Sequence, residues 1–211
     1  SWGRVLGGHA KATGSTDNGV SNVESEITAD YYGVQVGTVF ALAEESGLKP
    51  EYRSAILAAL KEGVQDADLV RTTIFSPTGF AFKVVQLQDT LSEDDVYARR
   101  RRICDIGMLQ QRGFTKPNAQ GERTLFQRCP AGPIDTYIKQ RGLERNTDER
   151  RCLCNGLLAC VGLGQVKEIQ GELVEEPAIV TLGNNLEGVR RLSRQGQVHY
   201  HVEDIVKDIL G

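Results

Sequence analysis

The fold of this chain is decided by residues 32–40, which read YGVQVGTVF. Residues 32–36 have the apolar character of a short buried strand, and the pair Gly37-Thr38 ends that strand. We expect a short helix from Thr38 to Glu45, because Gly47 supplies a stop signal just beyond it. A strand that passes through a glycine directly into a helix is typical of an α/β fold.

A second glycine pair lies upstream of this stretch. A strand candidate over residues 4–6 stops at Gly7-Gly8, and apolar residues then recur at near-helical spacing. Strand, helix and strand in this order predict a βαβ unit, which favours a parallel sheet with right-handed crossovers. The apolar positions of the intervening helix are Val20, Val23, Ile27 and Tyr31.

The two glycine pairs indicate how a phosphate group would be held. A phosphate needs several backbone N–H groups directed at it, and glycine permits both the close approach and the tight turn. A helix that starts at Thr38 adds the positive end of its dipole and its free N–H groups. Barrels of the (β/α)8 type often bind phosphate with the loops that follow strands seven and eight. Ordinary turn chemistry explains the same glycines, so the pairs alone leave both interpretations open.

Composition limits the classes of function. The chain has 25 Lys+Arg against 28 Asp+Glu, a net charge of −3, which argues against general nucleic-acid binding. The dense basic cluster Arg99–Arg102 is expected to be the cation-rich end of a helix. No apolar stretch approaches the roughly 20 residues that span a bilayer, so no membrane partner is expected. Five cysteines without an export signal predict reduced thiols and a cytoplasmic location.

The rest of the chain is expected to mix helices with extended segments. The turn Ser76-Pro77-Thr78-Gly79 should join two extended segments over 69–75 and 80–87. A helix should begin at Ser92, with Asp95 completing a capping box, and residues 111–133 should form a loop. Further helices are predicted at Pro50–Lys61, Ile134–Arg141, Asp148–Val161 and Val202–Leu210.

The cysteines and histidines are the residues that could serve as metal ligands. If residues 148–161 are helical, Cys152 and Cys154 point about 200° apart, which argues against joint chelation. We therefore expect the cysteines to be small buried apolar residues without a metal. The alternative is a metal site that uses Cys104, Cys129 and either Cys152 or Cys154. His199 and His201 alternate in a short stretch, and an exposed strand face is expected there because no third ligand is evident.

Several motifs together resemble the nitronate monooxygenase family, whose older name is 2-nitropropane dioxygenase. Residues 32–40 are similar to its G-V-Q-x-G-T-x-F element, the eighth barrel strand and the start of the phosphate-binding helix. Residues 5–10, VLGGHA, resemble the preceding A-G-G-I-A element. Three further segments resemble one bacterial branch of the family: SPTGF with FKVV at residues 76–85, CDIG at 104–107 and CLCNGLLA at 152–159.

The resemblance implies an FMN-dependent oxidoreductase that oxidises a small carbon acid, such as an alkyl nitronate, with oxygen as the acceptor. By the matching motifs, the FMN phosphate would be bound by Gly7, Gly8, Gly37 and Thr38, and Gln35 would contact the flavin side. His9 stands where the family normally has an aliphatic or aromatic residue. No residue in this chain matches the family's histidine base, so the catalytic residues stay unknown.

The predicted fold class is α/β. Residues 1–65 are expected to be the closing βα units of a (β/α)8 TIM barrel, and residues 66–211 a mixed, mostly helical C-terminal extension. A full barrel needs eight strands and about 250 residues, so we expect this chain to be only the C-terminal portion, with the upstream barrel portion as a partner. The alternative is a non-catalytic fragment or subunit that docks onto a separate barrel chain.

Overall fold

The computed structural model describes residues 37–148, 150–193 and 199–210. The chain divides into two units, Ser1–Val36 and Gly37–Gly211, and the described residues all belong to the second. The predicted βαβ unit, with Gly7, Gly8 and Gln35, therefore lies outside the described residues. The division predicted between residues 65 and 66 stays a prediction.

The described part consists of short helices and of strands that follow one another in pairs. The helices are α1 (Thr38–Ala41), α2 (Pro50–Lys61), α3 (Asp66–Leu69), α4 (Asp94–Arg99), α5 (Ile134–Lys139), α6 (Leu153–Ala159), α7 (Glu187–Ser193) and α8 (Val202–Leu210), with a 3-10 turn at Glu144–Thr147. The strands are β1 (Val70–Phe75), β2 (Ala81–Val85), β3 (Gln111–Phe114), β4 (Leu125–Arg128), β5 (Val166–Ile169) and β6 (Glu172–Glu175).

The strands pair as three separate antiparallel hairpins, β1 with β2, β3 with β4 and β5 with β6. The mixed α/β class is therefore right. The closed TIM barrel is not confirmed, because residues 37–65 hold two helices without a strand and the described residues contain no closed barrel. A parallel pairing does occur, as a single bridge between Phe75 and Arg150.

The β1–β2 hairpin confirms the turn predicted at residues 76–79. The Ser76 hydroxyl accepts the Phe80 N–H at 3.1 Å, and the Ser76 N–H donates to the Phe80 carbonyl at 2.9 Å. Gly79 has a φ of +96°, which only glycine adopts without strain. The turn chemistry is local, so the sequence was sufficient to predict it.

The loop predicted over residues 111–133 is wrong in part, because it contains the hairpin β3–β4. Asn118 organises its end: the side-chain oxygen accepts the N–H groups of Gln120 and Glu122 at 3.0 and 2.8 Å. An asparagine that bonds the backbone two residues ahead forms a turn of its own. The polar composition of this segment therefore reflects an exposed hairpin rather than an irregular loop.

Helix α2 confirms its predicted bounds, with Pro50 in the first turn and Gly63 just beyond the end at a φ of +89°. Helix α8 is also confirmed, although Ile205 is the only buried member of its predicted apolar face. Helix α4 starts at Asp94 without a side-chain cap, so the predicted capping box is wrong. The Ser92 hydroxyl instead accepts the Leu87 N–H at 3.1 Å.

A hydrophobic core lies under the β1–β2 hairpin. Its buried members are Ile74, Val84, Leu91, Val96 and Ile179, and residues of α6 pack against them. The segment 178–180 is built into this core by its backbone. Val180 and Ala178 accept the N–H groups of Val85 and Leu91 at 2.8 and 2.9 Å. Each fully buried aliphatic side chain contributes about 1.5–3 kcal/mol of transfer free energy, so this layer is the main stabilising feature of the hairpin.

The basic cluster at residues 99–102 lies at the end of a helix, as predicted, because α4 ends at Arg99. Arg100, however, has a buried side chain. Its guanidinium stacks 4.0 Å from the Tyr97 ring and lies 3.7 Å from the Glu176 carboxylate. Burial raises the pKa of Glu176 to about 7, with Arg100 opposing that shift. Charge alone did not reveal this, because Glu176 is far away in sequence.

Candidate functional site

The candidate site begins where α1 starts. Gly37 is exposed, with a φ of −120° and a ψ of −50°, and a Cβ added there would meet no atom within 4 Å. The first intrahelical bond runs from the Ala41 N–H to the Gly37 carbonyl at 3.0 Å. The N–H groups of Thr38, Val39 and Phe40 are thus the ones that an α-helix leaves without an intrahelical acceptor. The predicted helix start at Thr38 is confirmed, although the helix ends at Ala41 and not at Glu45.

Thr38 is joined to a distant loop. Its hydroxyl oxygen accepts the backbone N–H of Gly183 at 3.0 Å, across 145 residues of sequence. A Cβ on Gly183 would lie 3.0 Å from that oxygen, so glycine permits the close approach. The Thr38 hydroxyl keeps its own proton and can still donate to a second acceptor.

The loop that carries Gly183 is fixed by two charged residues. Lys83 of β2 donates to the side-chain oxygen of Asn184 at 2.9 Å. Asp66 of α3 accepts the Leu186 N–H at 2.9 Å and two bonds from Arg190, at 3.2 and 2.5 Å. Sequence reasoning did not assign Lys83, Asp66 or Gly183 to the site, because these contacts join segments more than 100 residues apart.

These groups fit an anion such as a phosphate. The helical N–H groups and the Thr38 hydroxyl can donate hydrogen bonds to the oxygens of an anion. Gly37 has no side chain that would block the anion's approach. Lys83 supplies a cation beside the loop that contacts Thr38. The predicted partners Gly7, Gly8 and Gln35 lie outside the described residues, so the structure brings together only Gly37 and Thr38 of the predicted set.

The cysteines form a second feature. Cys104 and Cys152 are buried in one cluster with Ala131, and Cys129 packs against it. The thiols of Cys152 and Cys104 share a hydrogen bond. This hydrogen bond lowers the pKa of Cys104 to about 6 and raises the pKa of Cys152. Burial raises the pKa values of Cys129 and Cys154.

Cys160 lies apart from the other four cysteines. It donates to the Leu157 carbonyl at 3.1 Å and lines a small apolar cavity of about 240 Å³ together with Leu48, Val180 and Leu182. For Cys160, the expectation of a small buried apolar residue is confirmed.

The two histidines pair with consecutive glutamates. The Nδ1 atoms of His199 and His201 lie 2.8 and 3.1 Å from the carboxylates of Glu44 and Glu45, respectively. His201 precedes helix α8, and its N–H donates to Asp204 at 2.8 Å. The predicted strand face is therefore replaced, over residues 199–201, by a loop that enters a helix.

The described part of the chain shows neither a grouped set of metal ligands nor a membrane-spanning helix. No three His, Cys, Asp or Glu side chains in residues 37–148, 150–193 and 199–210 stand as a group that could hold a metal ion. In the same ranges, every helix is too short or too polar to cross a bilayer.

No protein family, curated protein or solved structure matches this chain. The resemblance to the nitronate monooxygenase family therefore depends on the sequence motifs alone.

Proposed function

We propose that this chain supplies the FMN-phosphate-binding end of an FMN-dependent oxidoreductase of the nitronate monooxygenase type. The observation that carries the proposal is residues 32–40, whose Gly37-Thr38 pair stands at the first turn of α1 with open space around the glycine. The bound flavin would supply the redox chemistry, accepting electrons from a small carbon acid and passing them to oxygen.

The chain's own part is to bind and orient the phosphate. The first-turn N–H groups of α1 and the Thr38 hydroxyl would donate to phosphate oxygens, while Gly37 leaves room for their approach. Lys83 would balance negative charge at the loop beside Thr38. Gly7, Gly8 and Gln35 complete the set by resemblance. No residue here is proposed as the base that removes the substrate proton.

The test is a pair of isosteric variants at Gly37, made in the chain joined to upstream barrel units. Gly37→Asp should weaken FMN retention more than tenfold, because a carboxylate about 5 Å from a phosphate dianion costs roughly 2 kcal/mol even at the dielectric constant of water. Gly37→Asn has the same size without the charge and should retain FMN far better. The surroundings of Gly37 admit both side chains, and its φ is accessible to both.

The readout is flavin absorbance per chain after purification and dialysis. Equal FMN retention by the Asp variant and the unchanged chain would contradict the phosphate assignment. Equal loss in both variants would show that bulk rather than charge matters.

A second candidate is a non-catalytic subunit that docks onto a separate barrel chain. It is favoured by the core under the β1–β2 hairpin, whose described members all lie beyond residue 65 and so outside the predicted barrel portion. Co-purification with a separately encoded barrel chain would favour the subunit. A gene that encodes six further βα units directly upstream would favour the single enzyme.

A further inference from the structure

Four cysteines from three distant segments converge at one place. Cys104 follows α4, Cys129 follows β4, and Cys152 and Cys154 lie at the start of α6. Cys104, Cys152 and Cys129 pack together. Cys154 lies close enough to interact electrostatically with Cys104 and Cys129. Cys160, the fifth, lines a different cavity. The convergence is selective, since it gathers four of the five cysteines.

Cys152 and Cys154 do not both lie inside a helix, as was predicted over residues 148–161. Helix α6 begins only at Leu153, and Cys152 is its cap, with a φ of −75° and a ψ of 82°. The fixed 100° step per residue of a helix therefore does not apply between Cys152 and Cys154.

Backbone N–H groups surround the sulfurs. Those of Ile106 and Gly107 face Cys104, and those of Ala131 and Gly132 face Cys129. In both loops the donors are two and three residues after the cysteine. Gly107 has a φ of +65°, a conformation that glycine adopts freely. Such donors stabilise sulfur as a thiolate, which is the form that binds metals.

The same pattern holds for the α6 pair. The N–H of Asn155 faces Cys152, and the N–H groups of Met108 and Leu109 face Cys154. The loop after Cys104 thus supplies donors to Cys154 as well, which ties the two segments together around the sulfurs.

Side-chain hydrogen bonds hold the Cys104 loop against α6. Gln165 donates to the Asp105 carboxylate at 2.6 Å and accepts the Asp105 N–H at 3.2 Å. Its own N–H donates to the Asn155 side chain at 2.7 Å. Arg102 donates to the Pro130 carbonyl at 3.2 Å, which links the Cys104 and Cys129 segments. Outer contacts of this kind orient metal ligands.

The donors favour a ligand role over simple burial. A buried apolar cluster would not need N–H donors at every sulfur, whereas thiolate ligands of a metal are stabilised by them.

From this geometry we infer that Cys104, Cys129, Cys152 and Cys154 form a tetrathiolate metal centre, for Zn²⁺ or an iron–sulfur cluster. Among the described residues, no three of these side chains are already grouped so that they could hold an ion. Moving a cysteine from one staggered rotamer to another displaces its sulfur by about 3 Å, so side-chain rotation can close the site. Four sulfurs in a tetrahedron are the ligand set of structural zinc and of iron–sulfur proteins.

The experiment uses the full 211-residue chain. Metal content and acid-labile sulfide are measured on the purified protein, and the metal-free, reduced chain is titrated with Co²⁺. We expect one centre per chain and the intense visible bands of tetrahedral cobalt with thiolate ligands. Zinc without sulfide identifies a mononuclear site, whereas iron with sulfide identifies a cluster.

Single cysteine variants locate the ligands. Changing Cys104, Cys129, Cys152 or Cys154 to Ser should weaken Co²⁺ binding at least tenfold. Cys160→Ser is the matched control, since it removes a buried cysteine outside the cluster, and it should bind Co²⁺ like the unchanged chain.

If a cysteine variant fails to fold, alkylation of the unchanged chain tests whether the four thiols bind a metal. In the native unchanged chain, four thiols should be protected with metal and become reactive after chelation, as located by mass spectrometry. A folded, reduced chain that neither carries metal nor develops the cobalt bands would overturn the proposal. A Cys104–Cys152 disulfide as the native state would overturn it as well. Neither outcome bears on the Gly37 assignment, which is tested separately.

Discussion

Replacing Asp66 by Asn should destabilise the chain by about 2 kcal/mol. Asp66 accepts two hydrogen bonds from Arg190, at 3.2 and 2.5 Å, and the Leu186 N–H at 2.9 Å. Its side chain is 31% exposed and that of Arg190 is 15% exposed. Breaking a fully buried ion pair costs about 3–5 kcal/mol and an exposed one about 0–1 kcal/mol, so this intermediate pair falls between the two.

The matched control is Asp68→Asn, two residues along the same helix. Asp68 pairs with Arg71 at 3.3 Å, and both side chains are at least half exposed. Its loss should cost less than about 0.5 kcal/mol. Both aspartates lie in the first turn of α3, so their interactions with the helix dipole are similar and cancel in the comparison.

Urea unfolding followed by circular dichroism measures both variants. A loss of about 2 kcal/mol corresponds to a fall of roughly 4–8 °C in melting temperature for a chain of this size. High salt should reduce the loss of unfolding free energy more for Asp68→Asn than for Asp66→Asn, because salt screens exposed charges more than buried ones. Equal costs for the two variants would refute the view that Asp66 and Arg190 clamp the loop beside Thr38.

Three further outcomes are expected. Thr38→Val should lower the free energy of unfolding in urea by less than about 1 kcal/mol, because water can replace Thr38 as the acceptor of the exposed Gly183 N–H. The same variant should reduce FMN retention in the complete barrel. A Thr38→Ser variant that also lost FMN would contradict a role for the hydroxyl. Tyr200→Phe should cost about 1–2 kcal/mol, because its buried hydroxyl donates to the Val39 carbonyl at 2.8 Å; no loss in thermal melting would exclude that bond as a tether of α1. The 211 residues alone should not oxidise nitronates above the rate of free FMN, and oxygen uptake well above that rate would count against a shared site.

Local signals were sufficient for several elements. Pro50 and the glycine at residue 63 bounded α2, and the turn at residues 76–79 was predicted from its own residues. The start of α1 at Thr38 followed from the Gly-Thr pair. Each of these features depends on backbone preferences within a few residues, which is why the sequence determined them.

The candidate site shows where local reasoning ends. Thr38 was predicted as a phosphate ligand, but its contact with Gly183 and the fixing of that loop by Lys83 and Asp66 were not. Those contacts join residues more than 100 positions apart, and their free energy depends on how the loop packs rather than on residue type.

The cysteines also separate what local sequence predicted from what tertiary contacts decided. Spacing alone placed Cys152 and Cys154 inside a longer helix and pointed them apart, whereas the observed helix begins at Leu153. Arg100 was predicted at the cation-rich end of a helix, but its burial beside Glu176 was not predicted. The sequence by itself determined the turn at residues 76–79, two complete helices and the mixed α/β class. Only the tertiary structure decided which buried polar groups meet, because burial and pairing depend on segments that the chain brings together from far apart.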